Sequence, residues 1–193
     1  MNFIKKLFAF NKKTNDTEKK EEVNFTGIKT TESFNERYIL ESIDSKMLDG
    51  CLKMIESYFI DNKIERKIDN PINHPINLDQ VDREGFGFIL YCNAFQVEEQ
   101  QAVLFLAYSF SEYFIKNFGF KLYRDLKPEY PLRGMTVKYD KEGTFLSIYP
   151  FEYSSKVLNG NESFEGLVEK IKSQIEELPQ INEEIQKFMK PNN

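Results

Sequence analysis

Glu112 is the ionisable residue whose surroundings in the sequence differ most from those of an ordinary surface group. It follows Ser109 by three residues within YSFSEYFI, an aromatic-rich part of a helical pattern. A carboxylate that is partly buried there needs a hydrogen-bonding or charged partner. Two interpretations stay open, a structural hydrogen bond to the sheet or a functional acid. Arg133 and Lys156, just outside the predicted sheet, are candidates to pair with Glu112 or to bind an acidic partner.

His74 is the one histidine of the chain and lies within NPINHPINLD, residues 70–79, between two copies of Pro-Ile-Asn. Neither a second histidine nor a cysteine nor a close carboxylate pair accompanies it, whereas metal and triad sites need several converging groups. Each proline disfavours helical backbone in the residue before it and lacks a backbone donor. We therefore expect an extended, solvated loop that joins two parts of the fold.

The other reactive residue types indicate no catalytic site. Cys51 and Cys92 lie far apart in apolar contexts without a Cys-x-x-Cys motif, which predicts two reduced core cysteines and a reducing cytoplasm. Adjacent glutamates occur at 98/99, 176/177 and 183/184, but neighbours on a helix point in different directions. No phosphate-binding loop, nucleophile elbow or zinc-protease motif is present. The sequence therefore favours a protein without catalytic activity.

Charge is distributed unevenly along the 193 residues. The formal net charge is −5, and the chain has 18 Phe and 10 Tyr but no Trp. Residues 1–20 hold six lysines against Asp16 and Glu18, a net charge of +4, so the remaining residues sum to −9. An acidic body argues against nucleic acid as the main ligand. The size and composition predict one domain with an aromatic-rich core.

Residues 1–13, MNFIKKLFAFNKK, place four apolar side chains on one helical stripe flanked by lysines: Phe3, Ile4, Leu7 and Phe8. The stripe is too short for a signal peptide or a membrane span. It either folds back onto the body, or stays loosely attached, or lies weakly on a membrane surface as a basic amphipathic helix. Residues 11–24 are almost free of apolar side chains and predict a flexible, disordered linker. We therefore divide the chain into a basic tail and linker, 1–24, and a single globular domain, 25–193.

Hydrophobic periodicity predicts helices on both sides of a small antiparallel sheet. Helical patterns cover 33–42, 45–61, 97–118, 164–178 and 181–189, and 85–95 suits either a strand or a helix. Ser33-x-x-Glu36 has the form of a capping box at the start of the first pattern. Alternation within 120–149 predicts a three-stranded meander that ends at Pro150. The fold class is therefore α+β, with helices flanking a three-stranded sheet that packs on the 97–118 helix.

Three stretches, YSFSEYFIKNFGFKLYRD, RGMTVKYD and FLSIYPFEYSSKVLNGNESFEGLVEKI, resemble a bacterial family of domains of unknown function. Its members have a core helix with a Gly-acidic pair, an aromatic-bearing strand, and two strands that end in a proline followed by a lysine or arginine. The likeness covers residues 105–173. The matching positions are Ser111 (in place of glycine), Glu112, Leu122 or Tyr123 (in place of the usual tryptophan), Pro150 and Lys156. The resemblance implies a fold and no settled activity; in size and style the chain is also similar to small bacterial immunity and toxin-associated proteins.

We expect a non-catalytic, cytoplasmic binding protein of immunity-like type that meets a protein partner through an acidic, aromatic-rich surface. The predicted binding residues are Glu112, Tyr123, Arg133 and Lys156. The first alternative is a peripheral membrane adaptor at the inner membrane face, with membrane contacts at Phe3, Ile4, Leu7 and Phe8. The second is an enzyme that uses Glu112. No nucleic-acid partner, metal or cofactor is predicted.

Overall fold

A four-stranded antiparallel sheet with helices packed on it makes up the part of the chain that the structure describes. The computed structural model describes residue 34 and residues 36–83, 87–141 and 144–177. The strands, in chain order and in spatial order, are β1 (Tyr38–Glu41), β2 (Lys121–Asp125), β3 (Met135–Lys141) and β4 (Thr144–Ile148). The helices are α1 (Ser45–Asp61), α2 (Pro75–Leu78), α3 (Gln80–Arg83), α4 (Phe88–Ala94), α5 (Glu99–Phe118), α6 (Pro150–Leu158) and α7 (Phe164–Glu177). The predicted α+β class is therefore confirmed.

The sheet has four strands rather than the predicted three, because β1 pairs with the outer edge of β2. Tyr38 lies opposite Asp125 and Glu41 lies opposite Leu122, more than 80 positions later in the chain. The predicted helix over 33–42 is therefore wrong in its carboxyl half, although residues 36 and 37 are helical. Long-range pairing overrides a local helical pattern here. The three predicted strands within 120–149 are confirmed as β2, β3 and β4.

The longest described helix, α5, lies at the centre of the core, as its apolar pattern predicted. Ten of its 20 residues are buried, and Phe110 has no exposed surface. Glu98 and Gln101 form a reciprocal capping box at its start, and Gly119 ends it in the left-handed conformation at φ 71°. Helices α1 and α6 pack against α5. One face of the sheet completes this core with Leu122, Met135, Val137 and Ile148.

The ambiguous stretch 85–95 contains a helix, α4, which follows Gly87 at φ 93°. Its residue Cys92 is fully buried, and Cys51 of α1 is 1% exposed. Both thiols are unpaired, and burial raises the pKa of Cys51 to about 11 and that of Cys92 to about 12. The expectation of two buried cysteines without a disulfide is confirmed, and neither thiol is reactive near neutral pH.

Five of the ten residues 70–79, which we call the joint, are buried, so the prediction of a solvated loop is wrong. Asn73, Asn77 and Asp79 are each no more than 4% exposed. The carbonyl oxygen of the Asn77 side chain accepts from the N–H groups of Lys67 and Ile68 at 3.0 and 3.1 Å, and its amide donates to the Ile68 carbonyl at 2.7 Å. Asparagine here replaces water as the partner of the backbone.

One proline of the joint also helps to begin a helix. Pro75 occupies the first position of α2, where a helix needs no N–H group. His74 precedes it as the N-cap, and its Nδ1 accepts from the Ile76 N–H at 3.3 Å. Burial lowers the pKa of His74, with Lys172 acting in the same direction. The histidine therefore begins a helix within the joint, in a neutral form that suits an acceptor.

Several sequence predictions lie outside the described residues. These are the tail and linker 1–24 with its four apolar residues, the start of the 25–193 domain, and the 181–189 helix. Within the described ranges, every helix is too short or too polar to cross a membrane.

Candidate binding cleft

Two of the four predicted binding residues, Arg133 and Lys156, come together on a carboxylate that the sequence did not single out. Arg133 Nε donates to Glu152 Oε2 at 2.7 Å, and Lys156 Nζ lies 2.9 Å from Glu152 Oε1. Arg133 Nη1 also pairs with Glu129 at 2.8 Å. Glu152 and Lys156 are four positions apart on α6, which places them on one helical face. That spacing was the signal in the sequence that would have identified Glu152.

Two aromatic rings and Lys156 support the Arg133–Glu152 ion pair. The guanidinium carbon of Arg133 lies 4.7 Å from the ring centroid of Tyr149 and 5.1 Å from that of Tyr130. Burial raises the pKa of Glu152, but hydrogen bonds and charges from Arg133 and Lys156 outweigh this and bring it below its usual value. Glu152 is therefore ionised at neutral pH and already satisfied, which suits a structural anchor better than a general acid or base.

Beside this cluster lies a cleft of about 220 Å³ between the end of β4, α6 and α7. Its lining residues are Ser147, Ile148, Tyr149, Glu152, Tyr153, Lys156, Leu167, Ile171 and Gln174. The turn from β4 into α6 at Pro150 brings one face of α6 over the strand end. Helix α7 supplies the facing wall, because Leu167, Ile171 and Gln174 recur at helical spacing.

The lining of the cleft combines apolar side chains with hydrogen-bond donors. The half-buried Leu167 provides most of the apolar surface, because Ile148 and Ile171 are only 4% and 5% exposed, while Lys156 and Gln174 offer N–H donors. Among the described lining residues there is no histidine or cysteine. Tyr153 donates its hydroxyl to the Ser163 carbonyl at 2.9 Å, and burial raises its pKa far above neutrality. An apolar side chain fits this environment, with donors available for the carbonyl groups beside it.

The wall formed by α7 depends on Asp79, a residue of the joint that the sequence analysis missed. Its carboxylate accepts from the backbone N–H groups of Phe164 at 2.6 Å and Glu165 at 3.1 Å, the first residues of α7. These donors have no partner within their own helix. Burial raises the pKa of Asp79, although the two N–H groups and the charge of Arg83 act in the opposite direction.

Glu112 lies apart from this cleft. It is 8% exposed, and its Oε2 accepts from the Asn73 amide at 2.7 Å, while its other oxygen forms an ion pair with Lys116. The partner of its buried hydrogen bond is therefore in the joint rather than on the sheet. Neither Arg133 nor Lys156 pairs with it, since both contact Glu152.

Tyr123 lies on the face of the sheet away from α5, because it alternates with Leu122 of the core. Its ring contacts those of Phe34 and Tyr38, with centroids 5.5 and 6.4 Å away. Nearby, the Lys138 ammonium lies 4.0 Å from the Tyr38 ring centroid and donates to Ser147 Oγ at 2.8 Å. Tyr123 is 7% exposed, so its contacts are those of a packed layer.

The described residues contain no group of three histidine, cysteine, aspartate or glutamate side chains that could hold a metal ion. Comparison of the chain with protein-family models, curated proteins and solved structures gives no match. The cleft is therefore interpreted from its own residues.

Proposed function

We propose that this protein is a non-catalytic binding protein that holds an apolar side chain of a protein partner in the cleft between β4, α6 and α7. The observation that carries the proposal is the combination of an apolar wall and a charged cluster that is internally neutralised. Arg133, Glu129, Glu152 and Lys156 sum to zero charge, so an apolar group can enter without leaving a buried charge unpaired.

The electrostatics around the cleft favour a basic segment next to that apolar side chain. Helix α7 exposes four glutamates and two lysines: Glu165, Glu169, Glu176, Glu177, Lys170 and Lys172. With an acidic excess over residues 21–193, this helix attracts a positively charged partner and raises its rate of association. Three points stay predictions: an immunity-like role in a bacterial cytoplasm, the family resemblance, and membrane contact through residues 1–13. The two buried, unpaired cysteines support the cytoplasmic location.

A matched pair of variants on α7 tests the proposal with the full chain. Gln174 is exposed and lines the cleft, so Gln174→Arg fills the cleft with a longer, charged side chain. Ser173 is its exposed neighbour outside the lining, so Ser173→Arg adds the same charge without filling the cleft. We expect the wild type and Ser173→Arg to retain the same partner from native lysate, and Gln174→Arg to retain about tenfold less or lower.

The salt concentration provides a second test, because it reports whether charge contributes to binding. If the acidic helix steers a basic partner, retention by the wild type should fall as salt rises from low to moderate concentration. Equal retention by both arginine variants would contradict the assignment of the cleft. Failure of the wild type to retain any stoichiometric partner would contradict the binding function itself.

A further inference from the structure

His74 has a structural role that depends on its charge. Its Nδ1 accepts from the Ile76 N–H at 3.3 Å and so caps the first turn of α2. A neutral imidazole has one nitrogen that accepts, whereas both nitrogens of the charged form are donors. A proton at Nδ1 therefore replaces this hydrogen bond by a contact between two donors, at a helix start that already disfavours positive charge.

Two charged residues of α7 act on this imidazole. Burial lowers the pKa of His74 below its ordinary 6.5, Lys172 acts in the same direction, and Glu165 acts in the opposite one. The net effect is that the folded protein disfavours a proton on His74. A charged imidazole is therefore repelled by Lys172, which belongs to the helix that forms one wall of the cleft.

Helix α5 also packs against His74 and its neighbour in the joint. The Tyr113 ring lies against the imidazole with centroids 5.3 Å apart, and burial raises the pKa of Tyr113 above its ordinary 10.0. Glu112 forms an ion pair with Lys116 and accepts from the Asn73 amide at 2.7 Å. The charges that α5 presents beside the histidine are therefore balanced, and the net influence on His74 comes from burial and from α7.

The short helix α2 connects His74 to the residue that holds α7. Asp79 follows the last residue of α2, and its N–H donates to the Pro75 carbonyl at 2.9 Å. Its carboxylate accepts from the N–H groups of Phe164 and Glu165 at 2.6 and 3.1 Å. Helices α2 and α7 are also in direct contact. A change at the start of α2 therefore has a short path to the start of α7.

We propose that His74 is a pH-sensitive switch for α7, because protonation of its imidazole releases the first turn of α2 and loosens the hold of the joint on α7. Two effects act together: the charged imidazole loses its bond to the Ile76 N–H, and it repels Lys172. Since α7 forms the facing wall of the cleft, mild acid weakens the cleft. This last consequence rests on the proposed function, whereas the loosening of α7 does not.

Mild acid is the pH range in which this switch acts. The unfolded chain binds a proton at His74 with the ordinary pKa of 6.5, and the folded protein does so only at lower pH. The capped joint is therefore fully stable above 6.5 and loses stability as the pH falls through and below that value. The chain has one histidine, and no other type of side chain has an ordinary pKa in this range.

Nuclear magnetic resonance of the untagged full chain tests the titration, because His74 gives the one imidazole signal. The midpoint of its titration should lie below 6.5. Lys172→Gln should move the midpoint upward by removing the repelling charge, whereas Lys170→Gln makes the same change at another exposed position of α7 and should leave it in place. A wild-type midpoint at or above 6.5, or equal midpoints in the two variants, would contradict the proposed coupling to α7.

Hydrogen exchange tests whether the protonation reaches α7, with His74→Asn as the matched variant. Asparagine is a preferred N-cap and keeps an acceptor oxygen, but it does not titrate, and the variant leaves the titration of Asp79 in place. From about pH 7.5 to about pH 5.5, the protection of wild-type α7, corrected for intrinsic exchange rates, should fall about fivefold, the effect of one lost cap. Protection of α7 in His74→Asn and of α1 in both proteins should stay constant.

Three results of the exchange experiment would overturn the proposal. These are unchanged protection of α7 in the wild type, the same loss in His74→Asn, and a loss that α1 shares equally. Circular dichroism verifies that each variant is folded. Neither measurement needs a partner, so a failure of the switch is distinguishable from a failure of the proposed function.

Discussion

Asp79 connects the joint to α7 and so controls one wall of the cleft. Its two carboxylate oxygens accept from the Phe164 and Glu165 N–H groups at 2.6 and 3.1 Å, across 85 and 86 positions of sequence. Asp79→Ala removes both acceptors and leaves the Phe164 N–H buried without a partner. Asp79→Asn keeps one acceptor oxygen but places amide hydrogens where the second N–H group points.

The size of the effect follows from these bonds. A hydrogen bond to a charged group contributes about 1.5–3 kcal/mol, and the cost of ionising a buried carboxylate partly offsets two of them. We expect Asp79→Ala to lower the free energy of unfolding by about 2–3 kcal/mol and Asp79→Asn by about 1 kcal/mol. The matched control is Asp44→Ala, because Asp44 caps α1 locally through one exposed bond to the Met47 N–H at 2.8 Å. That change should cost about 1 kcal/mol.

Denaturant unfolding measures the free energy of unfolding of each variant, and hydrogen exchange shows which elements lose stability. In Asp79→Ala, amide protection should fall within Phe164–Glu177 beyond the global loss of stability, while α5 should follow the global change alone. A cost no larger than that of Asp44→Ala, with protection of α7 unchanged, would refute the assignment of Asp79 as the long-range cap.

The same residue makes a pH-dependent contribution of defined sign. Because burial raises the pKa of Asp79 above its ordinary 3.8, the folded protein binds more protons at this site than the unfolded chain. The stability of the wild type relative to Asp79→Asn should therefore fall as the pH rises through and above 3.8. A relative stability that rises over this interval would contradict the direction of the shift.

Three further substitutions have expected outcomes in denaturant unfolding. Asp125→Asn should cost about 2 kcal/mol near neutral pH, because Arg37 donates to that carboxylate at 2.7 and 3.0 Å. Burial raises the pKa of Asp125 but its Arg37 contacts lower it overall, so this cost should shrink as the pH falls through and below 3.8; a constant cost would contradict the ion pair. Asn77→Ala should cost about 3 kcal/mol through its unpaired backbone groups, and a loss under about 1 kcal/mol would be inconsistent with the joint as described. Glu112→Gln should cost less than about 1 kcal/mol, since the amide still accepts from Asn73; loss of partner retention with the fold intact would instead identify a functional acid.

Elements with strong local patterns were predictable from the sequence. The 45–61 and 97–118 helices correspond to α1 and α5, because long apolar periodicity reflects burial on one face or on all sides of a helix. The three strands after Gly119 were also predictable, since alternation and short turns specify an antiparallel meander. In each case the neighbours that stabilise the element lie close in sequence, or any apolar surface can serve as its packing partner.

Elements that depend on distant polar partners were not predictable. Strand β1 is four residues long and is stabilised by its pairing with β2. Its own residues belong to a hydrophobic pattern that predicted a helix, and nothing in them indicated the distant partner. The joint was misinterpreted because asparagine and aspartate usually indicate solvation, whereas Asn77 and Asp79 satisfy buried backbone groups. The cleft was half predictable: Arg133 and Lys156 were named, but Glu152 and the facing wall of α7 required the fold.

Site-specific photocrosslinking in native lysate is the measurement that tests the central claim most directly. A small aliphatic side chain that carries a photoreactive diazirine, close in size to glutamine and so unable to fill the cleft, is placed at Gln174, inside the cleft lining, or at its exposed neighbour Ser173, outside it. A protein partner that inserts an apolar side chain into the cleft should give one dominant crosslinked product from position 174 and little from position 173. Equal crosslinking from both positions, or none from position 174, would contradict the cleft as the binding site.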